Sequence, residues 1–203
     1  VSQLAVVSSG QLTNSGKLIT DSASVSAAQI NNSGQLHANQ QLTAQARHIS
    51  NSGQLTSAQA MSLFAQGGSV SNSGRINAVE LTASTDRIQT SAGSLINAQR
   101  AQLQAQKIDN QGTLNQANGS GEFVLTAASI NNLGANAVMD ISRGRLNASD
   151  LVNEGTIVSE AGSDSGQLLI SPLQSLNNSG QLFAHSDISV AQQLDNSGQM
   201  QVN

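Results

Sequence analysis

Cysteine, tyrosine and tryptophan are absent, and the chain has one proline, Pro172, and three phenylalanines, Phe64, Phe123 and Phe183. Without cysteine there is no disulfide framework, no thiolate metal site and no cysteine nucleophile. That absence is compatible with export in an unfolded state, because a premature disulfide would close a loop too early. Charged residues make up 10% of the 203, where about 25% is usual. With a net charge of −4 and only eight scattered Lys and Arg, the chain has no footprint for nucleic acid, and it lacks the aromatic rings that stack bases. No run of about 18 apolar residues occurs, so neither a transmembrane helix nor membrane insertion is expected. No basic segment leading into an apolar stretch opens the chain, as a secretory signal peptide would. Hydrophobic residues, at 37%, also fall below the usual value of about 45–50%. Ser, Asn and Gln fill the gap with 75 residues. So polar a chain would suit disorder, but disordered chains usually carry high net charge and no period.

This chain has a period. Asn-Ser-Gly recurs at 14–16, 32–34, 51–53, 72–74, 178–180 and 196–198, with degenerate copies ending at Gly93, Gly112, Gly134 and Gly155. The anchor glycines are therefore Gly16, Gly34, Gly53, Gly74, Gly93, Gly112, Gly134, Gly155, Gly180 and Gly198, 18 to 25 residues apart and about 20 on average. Two residues before each stands Asn14, Asn32, Asn51, Asn72, Asn110, Asn132, Asn153, Asn178 or Asn196, with Ser91 in the fifth copy. Four residues before it the chain is aliphatic in nine of ten copies; in the fifth, Ile88 comes one place early. Two residues after it stand Leu18, Leu36, Leu55, Ile76, Leu95, Leu114, Ile157, Leu182 and Met200, with Asn136 the exception. Between these anchors lies a second apolar pair, as in Leu42 and Ala44, Leu63 and Ala65, Leu81 and Ala83, or Leu103 and Ala105.

The alternation has period 2, the signature of strand and not of helix. Three short strands and three corners per repeat make one coil of a β-solenoid. A single coil cannot satisfy its backbone or close a core. Stacked coils pair in parallel at about 4.8 Å per step, line up their aliphatics inside and turn Gln, Ser and Thr to water. The Asn column is expected to form an amide ladder at one corner, with the following Gly supplying a positive φ. An uncharged outer face avoids stacking like charges on successive coils. Parallel strands joined this way should coil right-handed, by analogy with the crossover rule. The expectation is one all-β, right-handed parallel β-helix over residues 1–203, of about nine to ten rungs.

Tandem copies of Ile-x-Asn-Ser-Gly-x-Leu-x-Ala from Leu12 to Met200 resemble the haemagglutinin repeats of filamentous haemagglutinin-like exoproteins. That group is exported by the two-partner route of Gram-negative bacteria and includes adhesins and contact-dependent growth-inhibition effectors. The resemblance implies a right-handed parallel β-helix in a long extracellular shaft. It also implies an outer-membrane transporter as export partner, and a secreted or cell-surface location. The Asn-Pro motifs of the family's secretion domain do not occur here. The chain is accordingly expected to be an excerpt of a longer shaft. Its termini, Val1 to Val7 and Gln199 to Asn203, read as ordinary rung sequence and predict open strand edges that associate head to tail.

Candidate chemistry is sparse. His185, Ser186 and Asp187 are adjacent strand residues that point alternately, and cannot form a triad built around a central His. His37 and His48 read as surface residues. The acidic stretch Asp140, Asp150, Glu154, Glu160 and Asp164, interleaved with Arg143 and Arg145, is the best enzyme candidate, because some parallel β-helices are polysaccharide lyases. Those acids fall at different offsets from their glycines, whereas calcium needs six to eight converging oxygens. No metal, cofactor or catalytic residue is expected. Two long rungs carry insertions at 115–122 and 159–166, candidate recognition loops for a cell-surface receptor or glycan, since insertions in solenoids map to surface loops. Asn118-Gly119-Ser120 matches a glycosylation acceptor and is not given weight. The functional expectation is a structural shaft segment. A receptor-binding module on the same repeats is the alternative, and a polysaccharide-acting enzyme a more distant one.

Overall fold

The computed structural model describes residues 2–117, 121–159, 167–184 and 188–202, the side chains of 172 and 173 excepted. Its 20 strands form one all-parallel sheet wound into a β-solenoid of about nine turns, with about 20 residues per turn and no α-helix among the described residues. The strand content of 74% follows from the period-2 pattern, because each coil is almost continuous strand bent at its corners.

The register makes the interior a set of columns. Leu12, Ile30, Ile49, Val70, Ile88 and Ile108 lie directly over one another, and the column continues through Ile130, Leu151, Leu176 and Leu194. From Ile30 to Leu176 every member is buried. Ile88 thus occupies its slot; what is displaced is Gly93, by one inserted corner residue. A second column follows the corner, from Leu36 and Leu55 through Ile76 to Ile96, Leu114, Met139, Ile157 and Leu182. Two members differ from the sequence expectation. Ile96 takes the slot assigned to Leu95, and Met139 the one assigned to Asn136. In both rungs the corner is longer than in the other copies, so counting two residues on from the glycine falls short of the stacked position. Core columns also open at the ends: Leu18 is 38% and Leu194 53% exposed, because each has a neighbouring rung on one side only.

The remaining face alternates bulk along the axis. Leu63 stacks on Ala44 and not on Leu42, and Ala83 and Leu103 follow it. The Leu-Ala pairs are therefore offset by two residues between rungs, and do not form a Leu column beside an Ala column. In the neighbouring column Phe123 lies between Ala101 and Gly144, with its ring wholly buried. A large side chain over small ones keeps the narrow interior filled without forcing the strands apart. The Leu or Ile of each rung contributes roughly 1.5–3 kcal/mol by leaving water.

Candidate functional site

The Asn column is a hydrogen-bonded ladder along one edge of the interior. Asn14 Nδ2 donates to Asn32 Oδ1, Asn32 to Asn51 and Asn51 to Asn72, at 2.7 to 2.8 Å. The series resumes with Asn110 to Asn132, Asn153, Asn178 and Asn196, again at 2.7 to 2.8 Å. Every donor amide points toward the C-terminal end. Each amide also donates to a backbone carbonyl of the next rung, such as Gln35, Gln54 or Arg75, at 3.0 to 3.1 Å. Asn51, Asn72, Asn110, Asn132, Asn153 and Asn178 are at most 1% exposed. Buried amides of this kind demand partners, and a neighbouring Asn in register supplies both an acceptor and a donor.

In the fifth rung the ladder position belongs to Thr90 and not to Ser91. Thr90 Oγ1 donates to Asn110 Oδ1 and accepts from the backbone of Gln111 and Gly112 at 3.1 and 3.3 Å. Asn72 turns its donors to the carbonyls of Gly74 and Leu95 instead, at 3.2 and 3.1 Å. The series of amides therefore breaks once, between Asn72 and Thr90.

The anchor glycines serve a different purpose from the one expected. Of the ten, only Gly93 and Gly134 have positive φ, at 77° and 87°. Gly16, Gly34, Gly53, Gly74, Gly112, Gly155, Gly180 and Gly198 do not. At Gly53 a Cβ would stand 2.1 Å from the carbonyl oxygen of Gly34, and the same 2.1 Å recurs at Gly34, Gly74, Gly180 and Gly198. Gly155 and Gly112 meet backbone of the preceding rung at 2.2 and 2.6 Å. Gly16, in the first rung, meets nothing within 4 Å. Close stacking of one corner on the next, and not backbone handedness, is what excludes a side chain. Gly93 and Gly134 instead lie in the two lengthened corners, where Ser94 and Ala137 take the stacked position.

Several polar arrangements on the outer surface escaped the sequence reading. Asn97 donates to Asn77 and Asn115 to Asn97 at 2.7 and 2.5 Å, an outer ladder whose donors point toward the N-terminal end. Glu80 pairs with Arg100 at 3.1 Å, and Glu122 with Arg145 at 3.0 Å. Arg87 and Lys107 stack on adjacent rungs, so like charges do meet on the outer face. Asp109 compensates them. Its Oδ2 accepts from Arg87 at 2.6 Å, and its Oδ1 from Asn131 at 2.7 Å with Lys107 at 3.4 Å. Burial alone would raise the Asp109 carboxyl, but Asn131, Arg87 and Lys107 outweigh it and hold the group below the usual carboxylate value. Aligning rungs on their aliphatic columns and not on glycine would have placed Arg87 and Lys107 side by side.

The described residues singled out for chemistry form no metal-holding cluster. His37 approaches Asn39 at 3.2 Å, and His48 approaches Ser69 at 3.1 Å, on separate strands. Asp150 accepts from Ser175 at 2.6 Å, and Glu154 from the Gly134 amide at 2.9 Å. Among the described residues, no group of three or more His, Asp or Glu is placed to hold a metal ion. Glu160, Asp164, the 185–187 triplet, the 118–120 tip of the first insertion and 160–166 of the second lie outside the described residues. At the base of the first insertion, Gln116 donates to the Gly121 carbonyl at 2.7 Å and accepts from the Arg143 amide at 2.7 Å. No family model matches the chain, and no curated protein or solved structure matches it either.

Proposed function

We propose that the chain is a non-enzymatic shaft segment of a large, secreted, cell-surface bacterial exoprotein of the filamentous haemagglutinin-like type. Export would run through an outer-membrane transporter of the two-partner route, and the shaft would carry an adhesive or effector tip toward other cells. The observation that carries the reading is the in-register parallel stacking of similar rungs, whose buried aliphatic columns repeat along the axis. Such a body adds length in equal increments and stiffness from parallel pairing, which is what a spacer needs. About nine turns at about 4.8 Å give roughly 43 Å of rod per copy.

The test places one, two or three tandem copies between an outer-membrane anchor and a terminal epitope. The epitope's distance from the membrane should grow by roughly 40 Å per added copy. A distance independent of copy number would reject the spacer reading.

A further inference from the structure

The Arg87–Asp109–Lys107 cluster lies in a trough that the fold itself does not use. Its floor consists of the outward positions of four consecutive rungs, Ser50, Ser71, Gln89 and Asp109, stacked in register. The two serines leave the floor low over the first two of those rungs. Arg87 and Lys107 rise along one side, and the corner residues Ser91 and Gln111 along the other. The concave space is about 410 Å³, within the usual range for small-ligand sites, and runs parallel to the solenoid axis.

Its chemistry is uneven in an informative way. Both oxygens of Asp109 are already committed, Oδ2 to Arg87 and Oδ1 to Asn131 and Lys107. Two cations set against one anion leave the cluster one positive charge in excess. The side chains of Arg87 and Lys107 are each 47% exposed and keep donors for a ligand, while that of Asp109 is 8% exposed. Around this charge the walls offer mainly hydroxyls and amides, with Leu133 the one aliphatic side chain and no aromatic ring. A nucleic acid would need a longer basic track, and an apolar ligand would find no apolar floor. The trough also spans more rungs than a single inorganic anion could fill.

We propose that this trough is a binding site for an acidic oligosaccharide, whose carboxylate sits against Arg87 and Lys107 and whose hydroxyls bond to Gln89, Gln111, Ser71 and Ser91. Charge-assisted bonds from the two cations fix the carboxylate, and the neutral walls read the sugar hydroxyls. The site goes beyond the shaft role and does not depend on it, because a spacer can carry a lateral binding face. None of its lining residues belongs to either insertion.

Saturation-transfer NMR and calorimetry on the whole chain test it, with 3′-sialyllactose and a hyaluronan tetrasaccharide as probes and lactose as the neutral control. At least one acidic probe should bind saturably, with lactose at least about tenfold weaker. Lys107→Gln leaves Asp109 bonded to Arg87 and Asn131, so the melting temperature should hold while affinity falls about tenfold. Ser71→Gln raises the floor and should abolish binding without touching a charge. Arg100→Gln, on the outer face away from the trough, should leave binding unchanged. Failure of both acidic probes to bind, equal binding of lactose, or unaltered affinity in both Lys107→Gln and Ser71→Gln would overturn the assignment.

Discussion

Replacing Asn51 by Ala isolates what the corner ladder contributes. In the folded chain Asn51 is 1% exposed, donates to Asn72 Oδ1 at 2.8 Å and to the Arg75 carbonyl at 3.1 Å, and accepts from Asn32 at 2.8 Å. Asn32 keeps the carbonyls of Gly34 and Gln54 as acceptors, at 3.2 and 3.0 Å, so its donor is not orphaned. Asn72 Oδ1 loses the amide that reached it, in a place water does not enter. One buried acceptor left in this way costs about 1–3 kcal/mol. For a domain of this size that corresponds to a fall in melting temperature of roughly 2–12 °C. The matched control is Asn97→Ala in the outer ladder. Asn97 also donates to one Asn and accepts from another, at 2.7 and 2.5 Å, but at the surface, where water replaces the lost partners. Its cost should stay below about 1 kcal/mol. Thermal unfolding followed by circular dichroism compares the two directly. Equal shifts would show that burial of the amides is not what gives the ladder its value.

Three further outcomes follow from the same geometry. Gly53→Ala drives a Cβ to 2.1 Å from the Gly34 carbonyl oxygen and should cost at least about 2 kcal/mol, whereas Gly16→Ala, with nothing within 4 Å, should be neutral; similar melting points for the two would refute the close-stacking argument. Leu36→Asp puts an unpaired charge at a position 4% exposed and should cost several kcal/mol, while Gln35→Asp on the outer side should be nearly silent. Urea titration reads both, and matching midpoints would reverse the inside and outside assignment. Because the folded Asp109 carboxyl is held below its unfolded value of about 3.9, its contribution is fully present above that pH and fades as pH falls through the lower folded value. Wild type should therefore melt above Asp109→Asn at pH 7, and the gap should close in strong acid; a gap that widened on acidification would contradict the sign.

Which side chains face in and which face out was legible in the chain itself, because strand alternation has period 2 and each rung repeats it. The Asn column could be read the same way: a polar residue at a fixed place among aliphatics must be satisfied by its own copies. Stacking across rungs settled the rest. Counting from Gly93 and Gly134 missed Thr90, Ile96 and Met139, since a lengthened corner moves the glycine outward while the strands stay pinned by the columns on either side. The glycines themselves look like turn residues in sequence; only the tertiary structure shows that eight of the ten lack a positive φ, and that at seven of those the preceding rung comes too close for a side chain. Arg87 and Asp109 stand 22 residues apart and say nothing of each other along the chain. They meet because successive rungs bring residues about one coil apart to within hydrogen-bonding distance, a proximity that parallel pairing creates and local sequence does not encode.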